Sequence, residues 1–386
     1  MKKYFIKDNV CTPYKLILGK TSNYLTANGW TEASSIDKAD TIIVGVCAAF
    51  HSLKNESIEL IDEAKQASGS LVVFGCLPQV IPESVKKFKP DQIIPSSNWE
   101  QLEKLIDHPT ILMSEIEESG EFKSKEDYRL YDSGKRFILI QTGCSSDCPY
   151  CPHKMGIGEL KSRTIEDILE QIQSLVKKDV HTIVLTGNDT GSYGTDKEDI
   201  TFPDLLQEVL KISPKVHLSQ INPDWVYKYQ QELYPLLLDE KIKEFQVLIQ
   251  TVSERLLEIM ERGPIVRELK PFLMKLRQAR KDILFRTDII IGFPTATLEE
   301  ELETLEYVAE LFDEVAVHGF ERFPHTRIEK MSLPFHPQDI IDWRVERALK
   351  FLKDYPGILV HRGGQVYQTL LDIEKPKDDM RKEREC

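Results

Sequence analysis

Gln141-Thr142-Gly143-Cys144-Ser145-Ser146-Asp147-Cys148-Pro149-Tyr150-Cys151 is the stretch on which the reading of this chain turns. Three thiols stand within eight residues, and an apolar run, Arg136-Phe137-Ile138-Leu139-Ile140, leads straight into them. Cysteines at this spacing suit three irons of a [4Fe–4S] cube and leave the fourth iron without a protein ligand. Closed zinc sites prefer four ligands in paired C-x2-C halves, and the chain has no second C-x2-C. A zinc knuckle or three unrelated thiols are the alternatives the spacing leaves open.

Downstream of the triplet the apolar pattern alternates regularly. It predicts strands at 136–141, 181–186, 215–221, 244–250, 283–291 and 314–320. Helices are expected at 164–178, 203–212, 225–238, 253–262, 266–281, 297–312 and 337–353. Six strand–helix units with parallel strands imply an open, partial (β/α)6 barrel over 136–355, whose chemistry collects at the carboxyl ends of the strands. Helix starts carry caps: Ser162 and Thr164 precede Glu166 and Asp167, and Thr297 leads Glu299, Glu300 and Glu301. The cysteine loop follows the first strand.

Other strand ends are polar. Thr186-Gly187-Asn188-Asp189-Thr190-Gly191 follows the second strand, where backbone N–H groups and an amide could receive a nucleoside-like ligand with an amino-acid tail. An ordinary Gly/Asn/Asp turn has the same composition. Ser219 and Gln220 end the third strand and Gln250 the fourth. Arg286 and Asp288 share one face of an apolar strand, and buried charges need partners. Either they pair with each other, or Arg286 meets a ligand carboxylate.

Upstream, Tyr4-Phe5-Ile6, Thr41-Ile42-Ile43-Val44-Gly45-Val46 and Leu71-Val72-Val73-Phe74-Gly75 read as strands buried on both faces, with helices at 14–28 and 51–67 between them. A short strand at 92–94 and a helix at 98–106 complete an open parallel α/β sheet domain over 2–112. Cys11, Cys47 and Cys76 each follow one of its strands. Parallel strands bring those ends to one edge, where such sheets bind ligands. Any one of these cysteines alone reads as a small buried hydrophobe; three at the same topological place imply a second cluster. The polar, charged segment 113–135 reads as an exposed linker, its carboxylates a solvated surface. Residues 356–386 form a short C-terminal extension, in which Cys386 is incidental.

The chain has 386 residues, enough for two domains. It lacks an apolar run of about 18 residues, and its start, Met1-Lys2-Lys3-Tyr4-Phe5-Ile6-Lys7-Asp8, breaks off too soon for a signal peptide. A soluble cytoplasmic protein without a membrane role is expected. Net charge is −13, which disfavours a broad phosphate-gripping surface.

Cys-x3-Cys-x2-Cys with Tyr150 just before the last cysteine resembles the radical S-adenosylmethionine (SAM) signature. With both cysteine sets placed, residues 2–350 resemble the radical SAM methylthiotransferases. The resemblance includes Val46-Cys47, Phe74-Gly75-Cys76-Leu77, Lys161-Ser162-Arg163, Gln250-Thr251-Val252-Ser253, Met260-Glu261-Arg262, and Arg286-Thr287-Asp288 through Gly292-Phe293-Pro294. It implies two [4Fe–4S] clusters, one on Cys144, Cys148 and Cys151 and one on Cys11, Cys47 and Cys76, with no catalytic residue beyond these ligands. SAM would bind the first cluster, with Tyr150, Gly187, Asn188, Asp189, Ser219, Gln250 and Arg286 as expected contacts. A reductant such as flavodoxin or ferredoxin would supply the electron. The resulting 5′-deoxyadenosyl radical would take hydrogen from an unactivated C–H bond, and the second cluster would deliver sulfur or a methylated sulfur.

Members that act on tRNA or on a ribosomal protein usually end in a small β-barrel recognition domain (TRAM), for which the residues after 353 are too few. A peptide or protein residue is therefore the expected substrate and tRNA the less expected one; the loop Phe320-Glu321-Arg322-Phe323-Pro324-His325-Thr326-Arg327 could hold it or be plain surface. Sulfur insertion without methylation and a non-catalytic electron-transfer protein are the other readings.

Overall fold

Every residue of the run Thr41–Val46 is buried, as a strand covered on both faces requires. This run is β3 of a five-stranded sheet in a computed structural model that describes residues 1–118 and 135–363. Its partners are β1 (Lys3–Asp8), β2 (Thr31–Glu32), β4 (Ser70–Gly75) and β5 (Gln92–Pro95), all parallel, in the order β2-β1-β3-β4-β5. Helices Thr12–Ala27 and His51–Gln66 make the first crossovers. The stretch expected as a helix at 98–106 is instead a 3-10 segment, Ser96–Leu105, kinked at Asn98 (φ −126°, ψ 38°). Ser and Asn compete with the helical backbone through their own side chains, and three of them begin this segment.

The second sheet is built from β6 (Lys135–Leu139), β9 (Thr182–Thr186), β10 (Val216–Ile221), β11 (Ile242–Val247), β12 (Leu284–Ile291), β13 (Glu314–Gly319) and β14 (Leu359–Arg362). They pair in parallel in that order, each next to its predecessor. The expected six strands are present, and the C-terminal extension adds a seventh. β14 covers the edge of β13 with Leu359 and Val360, so that apolar edge is not left unpaired. Between β6 and β9 a two-residue antiparallel pair, β7 (Gln141–Thr142) with β8 (Lys161–Ser162), ties together the two ends of the cysteine loop. Thr164 and Thr297 accept backbone N–H groups at the starts of Ile165–Lys177 and Leu298–Leu311, as their spacing indicates. The helix expected at 225–238 breaks at Tyr229 into Pro223–Lys228 and Gln230–Leu237.

The interior of this sheet holds charge. Arg286 on β12 donates to Glu244 on β11 (2.5 Å) and to Glu314 on β13 (2.7 Å). His217 on β10 meets Glu244 at 2.9 Å. Burial pushes Glu244 up, yet Arg286 and His217 together hold it well below the usual carboxylate range. One alternation step nearer the carboxyl ends, Asp288 accepts from Gln246 (3.1 Å) and contacts His318 Nε2 at 3.0 Å. Arg286 and Asp288 do share a face, but each pairs with other groups rather than with its neighbour.

The expected linker is partly docked. Glu118 receives Lys20 of the first sheet's leading helix (2.7 Å) and Arg163 beside the cysteine loop (3.1 Å), so this carboxylate is an inter-sheet clamp and not solvated surface. The rest of that segment, 119–134, and the tail with Cys386 lie outside the described residues. Among the described residues no helix is long and apolar enough to cross a membrane.

Removing Arg286 would strand two buried carboxylates. Arg286→Ala is therefore expected to lower unfolding free energy by about 3–5 kcal/mol, measured by denaturant titration; a midpoint equal to wild type would contradict the ladder.

Candidate active site

Glycine comes immediately before the third cysteine of the first sheet and the first of the barrel, and in both places it is required. Gly75 (φ +138°) precedes Cys76, and a Cβ there would lie 2.1 Å from Val46 O on the neighbouring strand. Gly143 (φ +76°) precedes Cys144, and a Cβ there would lie 1.9 Å from Glu159 O. Each glycine lets the chain turn tightly off a strand end with a thiol directly after it.

Cys11 caps helix Thr12–Ala27 after β1, Cys47 follows β3, and Cys76 precedes the short helix Leu77–Val80 after β4. β1, β3 and β4 are adjacent, so the three thiols share one sheet edge. Cys47 and Cys76 are buried, while Cys11 and the barrel triplet keep part of their surface open. Protein nevertheless surrounds all six densely. Burial, and next the charge of Cys47, pushes the Cys11 thiol up to about 12. Burial pushes Cys47 to about 11 and raises Cys76 well above its ordinary value, with Cys11 and Cys47 adding to the effect on Cys76. In the barrel set burial again leads, pushing Cys144 to about 11 and Cys151 to about 12 and raising Cys148.

The two sets adjoin. Helix Pro152–Ile157, which starts at Cys151, presses Gly156 onto Cys76 so closely that a Cβ would come 2.9 Å from its sulfur. Ser96 bridges the contact, 3.0 Å from Cys76 Sγ and donating to Gly156 O at 3.1 Å. Among the described residues no three His, Cys, Asp or Glu side chains are grouped to share one ion. Three cysteines in each set suit a cube with one open iron better than a closed zinc site, which wants four ligands.

A cavity of about 290 Å³ opens over the triplet at the carboxyl ends of the barrel strands. The first domain contributes Ala49 and Phe50, just beyond Cys47, to its wall. Phe50 stacks on His318 (5.3 Å between centroids, 5° between planes), and His51 N donates to Glu321 at 2.5 Å. Phe320, Glu321 and Phe323 of the loop after β13 line the same space.

Four of the residues expected to contact SAM border this cavity: Tyr150, Asn188, Asp189 and Gln250. Tyr150 packs edge-on against Phe293. Asn188 accepts from Gly143 N at 3.0 Å, bracing the cysteine loop. Asp189 accepts from Trp225 Nε1 (2.8 Å) and Asn222 N (3.2 Å), and burial raises its pKa to about 6. Gln250 turns off its strand with φ +64°. Gly187 and Ser219 are not in the wall: Gly187 packs on the Gln141 side chain, and Ser219 Oγ donates to Leu185 O at 2.9 Å.

Arg286 is a correction. It lies one alternation step below Asp288, paired with Glu244 and Glu314 and outside the cavity wall, so it does not reach a carboxylate there. The arginine in the wall is Arg262, buried, donating to Asn222 Oδ1 (2.8 Å) and Leu248 O (2.9 Å), with Tyr150 Oη at 3.4 Å. Its sequence signal was its position beside Ile259 and Met260 at a helix end before Gly263-Pro264, where an exposed charge is the ordinary reading. Gln220, Asn222 and His318 also line the cavity.

Residues 138–308 match the Radical SAM superfamily, and residues 15–95 match a family described as Uncharacterized protein family UPF0004. The ribosomal protein uS12 methylthiotransferase RimO of Thermotoga petrophila is 31% identical over 292 residues, covering 72% of this chain and 67% of the relative. The chain belongs to the radical SAM methylthiotransferases.

Relatives within these methylthiotransferases differ in substrate. The threonylcarbamoyladenosine tRNA methylthiotransferase MtaB of Aquifex aeolicus is 27% identical over 342 residues, covering 86% of this chain and 82% of the relative. In fold, the radical SAM methyltransferase TsrM from Kitasatospora setae superposes with a TM-score of 0.65 at 14% identity, covering all of both chains. As a radical SAM methylthiotransferase the protein is an enzyme whose cofactors are SAM and two [4Fe–4S] clusters.

Gly143→Ala would drive a Cβ into Glu159 O and displace Cys144. Against about eight irons in the reconstituted wild type, this variant is expected to hold roughly half by iron assay. Full occupancy would show that the turn is dispensable.

Proposed function

We propose that this enzyme inserts sulfur, as a methylthio group, at an unactivated C–H bond of a peptide or protein residue bound in the cavity between its two cysteine sets. The observation that carries this reading is the shared wall: Cys144, Cys148 and Cys151 line it from the barrel, and Ala49 and Phe50, beside Cys47, line it from the first domain. In this reading Cys144, Cys148 and Cys151 hold the cluster that binds SAM, and Cys11, Cys47 and Cys76 hold the second. When bound, the clusters supply the electron that cleaves SAM and the sulfur that is transferred.

The chain's own residues do the rest. Arg262 is the arginine of the cavity wall and orients the SAM carboxylate, held in place by Asn222 and Leu248 O. Asn188 and Gln141 fix the cysteine loop, through Gly143 N and Asp189 O respectively. Gln220 (φ +57°) and Gln250 turn polar side chains off their strand ends toward the nucleoside. Phe50, Phe320 and Phe323 narrow the mouth and keep water from the reacting carbon.

Charge supports a peptide over a nucleic acid. Asp189, Asp288 and Glu321 border the cavity against Arg262 as the only lysine or arginine among the described residues of its wall, and the whole chain is at −13. A phosphate backbone asks for the opposite balance. The RimO relative is named for a protein substrate.

The test is to incubate the reduced, reconstituted enzyme and SAM with a ribosomal-protein digest and, separately, with tRNA. A methylthio mass gain on a peptide is expected; a gain confined to tRNA would replace the protein substrate by the nucleoside. Arg262→Gln is expected to weaken SAM binding roughly 10- to 100-fold, the range for a hydrogen bond to a charged group, with unchanged iron content. Equilibrium dialysis showing wild-type affinity would remove Arg262 from this role.

A further inference from the structure

Tyr14 lies in the first turn of the helix that Cys11 caps, and its phenol is completely buried. The ring meets Phe74, two residues before Cys76, edge-on at 6.0 Å. Its hydroxyl has no hydrogen-bond partner. Buried phenols ordinarily find one. Ser96 acts on the phenol as a hydrogen-bonding neighbour, yet it stands outside hydrogen-bond geometry to the hydroxyl and engages Cys76 Sγ and Gly156 O instead. The phenol lies near Cys76 and Cys11. An orphaned donor therefore sits among the first domain's cysteines, and phenylalanine would fill the same volume without it.

We propose that the Tyr14 hydroxyl donates a hydrogen bond to a sulfur of the iron–sulfur cluster held by Cys11, Cys47 and Cys76, and so tunes that cluster's reduction potential. This rests on the reading that those three cysteines hold a cluster. Tyr14 is a positioning residue: it ligates no iron and touches no substrate. A hydrogen bond to a cluster sulfur stabilises the more negatively charged reduced state and raises the potential.

The test is Tyr14→Phe in the full-length, reconstituted enzyme, followed by a redox titration monitored by electron paramagnetic resonance. SAM, which perturbs only the cluster it binds, separates the two signals. The midpoint of the first-domain cluster should shift to a more negative value, while the SAM-binding cluster and the iron content stay as in wild type. An unmoved midpoint at full iron content would overturn the proposal. Thermal melting of the iron-free proteins is the second arm. Phenylalanine should melt at or above the wild type, because it removes an unsatisfied donor. A melt several degrees lower would mean that the hydroxyl has a partner within the protein, and would equally overturn it. If replacing Cys11, Cys47 and Cys76 by alanine leaves the iron content unchanged, the underlying cluster assignment fails instead, and that result is separate from either arm.

Discussion

A thiolate taken out of water needs a cation, and six thiols of this chain are packed within protein, two buried and four partly open. Burial is the leading cause that raises every one of them, and neighbouring sulfurs add to it at Cys11, Cys76, Cys144 and Cys151. Left to themselves they would stay protonated. Iron reverses that balance by binding the deprotonated form, so cluster binding and completion of the two sheet edges are linked. The rest of the architecture serves this arrangement. Parallel strands bring Cys11, Cys47 and Cys76 to one edge, the β7–β8 pair closes the loop that carries the triplet, and the contact of Gly156 with Cys76 brings the two sets side by side.

Below the cavity the barrel interior is layered by charge. Arg286 and its two glutamates occupy the lower layer, and Asp288 with His318 the upper one. The lower layer pairs its charges with one another and serves the fold. The upper one faces the cavity, where His318 is held between Asp288 and the ring of Phe50. Phe50 comes from the other domain, so the cavity is complete only when the two sheets are docked. Glu118, bonded to Lys20 and Arg163, helps hold them there.

Much of this was legible in the sequence because parallel sheets buried on both faces leave continuous apolar runs, and because thiols at strand ends keep a fixed relation to those runs. The six barrel strands and the placement of both cysteine sets followed from that. What was not legible depended on contacts between segments far apart in the chain. Arg286 and Arg262 look alike as isolated arginines; only the register that sets Glu314 opposite Arg286, and the turn that brings Asn222 to Arg262, distinguishes a structural cation from one facing a ligand. β14 was missed because a four-residue strand beyond a helix shows no periodicity of its own, and Tyr14 because an unsatisfied hydroxyl has no sequence signature. Glu118 looked solvated for the same reason: its partners, Lys20 and Arg163, are remote in sequence.

The central claim is that two iron clusters stand at adjoining strand ends and face one cavity. Crystals of the anaerobically reconstituted enzyme, measured on both sides of the iron absorption edge, test it most directly. The account predicts two separate anomalous peaks, one among Cys11, Cys47 and Cys76 and the other among Cys144, Cys148 and Cys151. A single peak at the triplet, with the three first-domain thiols free or disulfide-bonded, would contradict it.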